Sequence, residues 1–432
     1  MPIPIVTKFA VPEKYKYLNG LGNFHSSEAF PGADTQVNND PQKPSYGLHT
    51  EKISGSGFVA PRHLQLHSYV YRTHTSFDCE PSKEYNWDQE YASPTRPNFI
   101  SPNPFNWVTI KLEPGDWTQQ RQLGTNGDPQ RKSGASLWLF NVNKDMEART
   151  AFTSLDGEAF IVPQSGALDI QTEFGKLLVR QNEFAVIPRG VKYRVGLPDT
   201  KRATARGYVI ELHDGHFRLP ELGIIGSTGL ANQRDFQIPT ACYDGKLEPE
   251  KTTDTTGGNA PVAVPNSDAF NGDWTIISRH CSELWSYSQP ATPFDVAAWH
   301  GTLYPYKYDL AKFSHLENAV YDHHDPSLFT VMTAPAFGKQ PGTAVVDFPL
   351  NKALDFVPFG AWMRASMAAH GTEEDLFTKW REVDATKPRK SGTKDFSILL
   401  VETDMPWYLA SWAVEQSDSQ NSSKSEMAFK AE

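Results

Sequence analysis

Cysteine is scarce: Cys79, Cys242 and Cys281 are the only three in 432 residues. None forms a Cys-x-x-Cys pair, so neither a thiolate zinc site nor a disulfide framework is indicated. A reducing, intracellular compartment is the simplest reading. Positive charge is short too. The formal net charge is -10 and the basic residues are spread without a polybasic tract, which argues against a nucleic-acid partner. No window reaches the uninterrupted apolar length of a membrane span. The first seventeen residues show no long apolar stretch and no cleavage-site pattern. These absences predict a soluble, cytoplasmic protein.

What is present is typical of a globular chain: 12% aromatic and 21% charged residues, a balance that argues against general disorder. The length predicts two or three domains, with a core large enough to stand without staples. Thirty glycines and 32 prolines are scattered evenly, which punctuates short strands and disfavours long helices. The clearest block is 157–195. Its apolar residues alternate in part (Leu168 with Ile170; Phe184 with Val186), and turn signals recur at Ser165-Gly166, Gly175, Asn182 and Pro188-Arg189-Gly190. That pitch predicts an antiparallel barrel or sandwich. Residues 243–272 shift to a polar, linker-like composition, so the first domain is expected over 1–272 and a second over 273–413. Residues 362–380 are the best helix candidate, and 414–432 read as a polar, disordered tail.

His300 is the strongest candidate for chemistry. It lies in Trp299-His300-Gly301, followed by Tyr304, Tyr306 and Tyr308. Glycine leaves room beside the histidine, and the tyrosines suggest an aromatic pocket. A ring that titrates near neutrality suits base work on a phenolic hydroxyl. A core histidine satisfied by a backbone carbonyl fits the same residues. Glu211-x-His213-x-x-His216 offers two imidazoles and a carboxylate, a set that suits non-haem iron or zinc. The third ligand lies beyond a glycine turn, so a hydrogen-bonded strand end is preferred. His280-Cys281 and His323-His324 read as a strand end and a turn. His370, ahead of Gly371, Glu373 and Glu374, reads as a helix-end histidine.

The block at 157–195, with its P-x-G turn, resembles a cupin barrel. Metal-binding cupins place a histidine shortly after that turn, where this chain has Lys192 and Tyr193, so the barrel's expected role is architectural. Over nearly its whole length the chain resembles homogentisate 1,2-dioxygenases, most like fungal members. The runs that carry the resemblance are 8–29, 42–62, 156–179, 229–239, 293–310 and 325–336. The resemblance implies a mainly β protein: a β-sandwich plus a cupin-like jelly roll, with a smaller C-terminal β-rich domain. It implies oxidative cleavage of homogentisate by O2 at ferrous iron held by two histidines and a glutamate, in tyrosine and phenylalanine catabolism. It also implies a homo-oligomer, a trimer pairing into a hexamer. His300 matches the family's catalytic base, and His370 its last iron ligand, which also lines the substrate site.

The chain departs from the pattern after Phe348-Pro349. The family carries there a stretch with a YYHRN motif, the other two iron ligands and substrate-contacting tyrosines. This chain runs directly into 350–371, with Arg364 where the family has a further active-site histidine. Several dozen residues are absent. One imidazole does not hold ferrous iron against competitors. The alternative expectation is therefore a catalytically inactive paralogue acting as a binding or subunit-like protein.

Overall fold

The computed structural model describes residues 8–34, 43–85, 105–198, 204–223, 231–245, 272–313, 359–364 and 399–417, with shorter stretches over 320–347 and 378–387. Beyond a short first strand, Tyr17–Asn19, come β1 (His25–Glu28), β2 (His49–Ser54) and β3 (His67–Arg72). The expected barrel region supplies β4 (Ala135–Val142), β5 (Thr150–Ser154), β6 (Glu158–Ser165), β7 (Ala167–Thr172), β8 (Gly175–Arg180), β9 (Glu183–Ile187), β10 (Tyr193–Gly196) and β11 (Ala205–Leu212). After the polar stretch come β12 (Trp274–His280), β13 (Glu283–Gln289), β14 (Val296–Gly301) and β15 (Tyr306–Asp309). Among the described residues, helix consists of single 3-10 turns, helical positions at Thr378 and Arg381, and one short α-helix, Ser411–Glu415. No helix among them is long and apolar enough to cross a membrane.

The strands form a jelly-roll sandwich. One sheet contains β15-β9-β6-β11-β4 in that order, extended at both ends by short strands. The other runs β8-β7-β10-β5-β12-β13 and ends on Lys83–Glu84. The chain passes between them at turns the sequence marks. Gly166, at φ 75, turns β6 into β7, where a Cβ would run into the Thr204 carbonyl. Asn182, at φ 72, turns β8 into β9; asparagine tolerates that left-handed conformation. The shared core includes Phe160 stacked on Phe184 at 4.4 Å, with Trp138, Phe152, Leu168 and Val195.

Strands on either side of residue 272 share sheets. β12 pairs in parallel with β5, β15 pairs with β9, and β14 lies between β1 and β3. Residues 246–271 lie outside the described part, and the sheets take strands from both sides of them. Of the helix expected over 362–380, Thr378 is helical, whereas its first residues belong to a strand, Ala361–Met363, paired with Phe105–Trp107; apolar periodicity over a short run does not separate the two. Residues 365–377 lie outside the described part. The described chain continues past Ala413 to Ser417, where the Gln416 side chain exchanges hydrogen bonds with the backbone of Lys111.

A small sheet, β1-β14-β3-β2, sits on the sandwich. Its inner face carries Val70 and Trp299, both fully buried in the main core. Arg72 ties it down. The guanidinium donates to Asp295 Oδ1 at 2.9 and 3.0 Å, to Glu51 and Glu173 at 3.1 Å each, and to the Pro293 carbonyl at 2.8 Å. Burial alone would raise the Asp295 carboxyl, but Arg72 outweighs it and holds the group below its ordinary range. Removing one member of such a buried set costs about 3–5 kcal/mol, because the others are left uncompensated.

Candidate functional site

Register sets the site. Ser26 pairs with His300, His300 with Tyr69, and Tyr69 with Lys52. Paired residues of antiparallel strands point to the same face, so Ser26, His300, Tyr69 and Lys52 form one row across the outer face of the small sheet. Tyr71 stands two residues along β3 from Tyr69 and faces the same way. One end of this face is covered by Phe30, Ala33, Leu48 and Tyr243, which bury Tyr71 and Ala298. The other end is open, and Phe24 there is 59% exposed. His300 sits where the covered half meets the open half.

Its ring is held on every side. Nδ1 lies 2.9 Å from Asp34 Oδ1, and Nε2 lies 3.5 Å from the Tyr71 hydroxyl. Phe24 stacks at 5.8 Å, and Tyr69 and Tyr71 tilt against it at 5.7 and 5.4 Å. Lys52 Nζ stands 5.9 Å from the Tyr69 ring and 5.4 Å from that of exposed Phe58. His67, next on β3, has its pKa lowered by burial first, then by the positive charge of Lys52 and by His300. The result is an aromatic recess with a carboxylate-bound imidazole at its inner end and an ammonium at its rim. A flat phenolic ring suits it by shape, and a base on the floor suits the phenol's proton.

The sequence expects His300 beside Tyr304, Tyr306 and Tyr308, whereas the rings that flank it are Phe24, Tyr69 and Tyr71. Tyr304, Tyr306 and Tyr308 are buried in the main core. Tyr304 acts indirectly: its hydroxyl donates to the Asn23 carbonyl at 2.8 Å and accepts from Gly22 N at 3.1 Å, which steadies the segment bearing Phe24. Gly301, at φ 153, does not leave room beside His300. Its missing Cβ is the space into which the His67 carbonyl and Ser68 of β3 press. Asp34 and Tyr71 went unnoticed. The alternation Tyr69-Val70-Tyr71-Arg72 was the available signal for an aromatic outer face, and Pro31-Gly32 marked a turn delivering an acid.

The Glu211, His213 and His216 set disperses. Glu211 accepts from Trp138 Nε1 at 2.9 Å and pairs with Arg279 at 3.2 Å inside the sandwich. His213 lies between the Ser133 carbonyl and the Ser136 hydroxyl, 3.0 Å from each. His216 turns away to Glu158 at 2.9 Å and Ser56 at 3.3 Å. The glycine turn sends the third ring elsewhere, as the spacing warned.

One other group can gather three ligand atoms among the described residues: Asp156, His280 and Cys281, with donors all within 4.8 Å of one another. Its carboxylate already has a task. Cys281 and Ser282 hold φ 56 and 65 in the two-residue turn between β12 and β13, a turn that ordinarily asks for Asn-Gly. Asp156 accepts both of their amides at 2.6 Å. Burial first, then Asp156, raises the Cys281 thiol pKa, which disfavours the thiolate a metal needs. This is not the two-histidine, one-carboxylate set of a ferrous centre. No such set surrounds His300 among the described residues. His370, the iron ligand implied by resemblance, lies outside them, as does His323. Arg364 is described, its guanidinium 3.9 Å over Trp362. The described residues therefore do not assemble an iron site.

Comparison with known proteins adds a different kind of observation. Residues 16–258 and 253–310 match the family described as homogentisate 1,2-dioxygenase N-terminal, and residues 311–353 its C-terminal counterpart. The homogentisate 1,2-dioxygenase of Emericella nidulans is 37% identical over 452 aligned positions, covering 95% of this chain and 93% of the relative. That of Caenorhabditis elegans is 33% identical over 451, covering 94% of each. The C-terminal match ends at residue 353, just past the Phe348-Pro349 junction. Among solved structures, the Escherichia coli protein YlbA overlaps 50% of this chain and 96% of its own at 10% identity and a TM-score of 0.21, too slight to carry an argument.

Proposed function

The chain belongs to the homogentisate 1,2-dioxygenase family, and we propose that it opens the ring of homogentisate, or of a closely related hydroquinone, with O2. The observation that carries this reading is the His300 recess. A ring slides along Phe24 and Tyr69, and the imidazole on the floor receives the phenolic proton. Loss of that proton makes the ring electron-rich enough for oxidative attack. Tyr71, 3.5 Å from Nε2, already sets a phenol against the same nitrogen, which supports that pairing.

Ferrous iron is the metal we assign, on the family's strength alone, with His370 as a ligand and substrate neighbour. The proposal extends to a homo-oligomer in the cytoplasm.

The test is direct. The protein is purified anaerobically with Fe2+, homogentisate is added, and oxygen uptake is followed with the absorbance of the ring-opened product. Turnover abolished in His300→Ala supports the reading. Turnover untouched by that change removes His300 from the chemistry. No turnover, with homogentisate still bound, assigns the chain to the alternative, a binding or subunit-like paralogue.

A further inference from the structure

We infer that Asp34 is a positioning residue for His300: it fixes the neutral imidazole with its proton on Nδ1, so that the Nε2 lone pair is left as the acceptor, on the side where the Tyr71 hydroxyl stands 3.5 Å away. This rests on the reading of His300 as the base and deepens it. An imidazole with no such partner divides its proton between two nitrogens, and only one of them faces the phenol. A carboxylate accepts but does not donate, so Asp34 at 2.9 Å from Nδ1 selects a single tautomer.

Asp34 is itself placed with care. Residues 29–34 fold over the end of the small sheet. Glu28, at the end of β1, turns its Oε2 back to accept from Gly32 N at 3.0 Å and Asp34 N at 3.3 Å. Glu28 pairs with Ala298 on β14, two residues from His300. Ala29 N donates to the Ala297 carbonyl at 2.8 Å, and the Tyr46 hydroxyl donates to Pro31 O at 2.8 Å. Ala33 is fully buried beside Tyr71. The strand that carries the base therefore also anchors the loop that carries its carboxylate. The side chains of Asp34 and His300 are 15% and 11% exposed, so water competes weakly for their hydrogen bond. On the far side of the ring, Tyr71 and Phe24 face Nε2 and the ring plane.

The test reads the tautomer itself. Full-length protein is labelled with 15N-histidine, and long-range proton–nitrogen spectra are recorded above the ring's titration. The His300 signals are those missing from His300→Gln. Expected is a protonated Nδ1 and a bare Nε2 in the native chain, with the ratio reversed or mixed in Asp34→Ala and recovered in Asp34→Glu. In the oxygen-uptake assay, Asp34→Ala is expected to lose at least about tenfold in kcat, with KM little changed and partial recovery in Asp34→Glu. A native chain whose His300 carries its proton on Nε2 overturns the inference, whether or not the protein turns over. The Nδ1–H signature in a chain that does not cleave homogentisate sustains it while removing the proposed function. Should Asp34→Ala fail to fold, the native spectrum alone decides.

Discussion

Two places in this molecule bring histidine, carboxylate and aromatic side chains together, and they behave as opposites. Inside the sandwich, Glu211, His213, Arg279 and Trp138 form a buried knot. Arg279 bridges Glu211 and the Gln120 side chain, and its guanidinium lies 3.7 Å over the Trp138 ring. On the small sheet, His300, Asp34, Tyr69 and Tyr71 use the same kinds of group at the boundary between a covered and an open face. The inner knot directs its ionic groups at one another. The outer group keeps an edge for a ligand. The residue types alone do not separate a structural constellation from a chemical one; the direction of the last free valence does.

The largest expected effect tests the inner half. Arg279→Met leaves Glu211 buried without its counter-charge and is expected to cost about 3–5 kcal/mol of stability, read as a fall in the urea midpoint at constant slope. A loss below about 1 kcal/mol would mean that the knot is not what holds that part of the sandwich. Next comes the outer half. His300→Ala should cost less than the loss of Arg279, about 1–3 kcal/mol, because it leaves the largely buried Asp34 carboxylate without its partner. Turnover should drop at least about a hundredfold, the usual worth of a positioned base. An equally large stability loss would make His300 one more structural histidine.

Acid unloads the buried groups in two stages. Burial lowers the pKa of His213, outweighing nearby Glu211, so the folded state resists its protonation. The unfolded chain takes up that proton below about pH 6.5 and the folded chain only at lower pH, so stability falls as pH drops through that window, by up to about 1.4 kcal/mol per unit. The carboxyls of Glu211 and Asp295 are held low by Arg279 and Arg72 against the opposing effect of burial. Their contribution is intact above the ordinary carboxylate range and lost only as pH falls through the lowered folded values. Stability should therefore decline in two stages, and His213→Gln should remove the first. Retention of both stages in that variant would assign the upper one to another histidine.

Much of the sandwich was legible because it is local. Turn residues at Gly166, Asn182 and Gly190 fall where the chain reverses, and the strands between them alternate or run apolar. The small sheet was not legible. Its strands come from residues 25, 49, 67 and 296 onward, and their register follows from which of Tyr69 or Val70 faces the core. His300 stood out because histidine beside tryptophan and glycine is unusual, yet the reason for the glycine is the close passage of β3. Asp34 could not be paired with His300 by spacing, since 266 positions separate them. The same holds for Arg72 and Asp295, 223 apart.

The smallest expected effect sharpens the outer half most finely. Phe24 stacks on His300 at 5.8 Å yet remains 59% exposed, so the fold gains little by keeping it. Phe24→Ala should shift stability by under about 0.5 kcal/mol, the range for surface changes. A bound aromatic ring would lose one stacking face, worth about 0.5–1.5 kcal/mol, so KM should rise by roughly threefold to tenfold while kcat stays near native. Phe24→Tyr keeps the face and should restore KM. If Phe24→Ala lowers kcat instead, the ring is aligning His300 rather than receiving substrate. If both constants stay native, the substrate does not use the open end of the face, and the recess between Tyr69 and Lys52 is the part left to hold it.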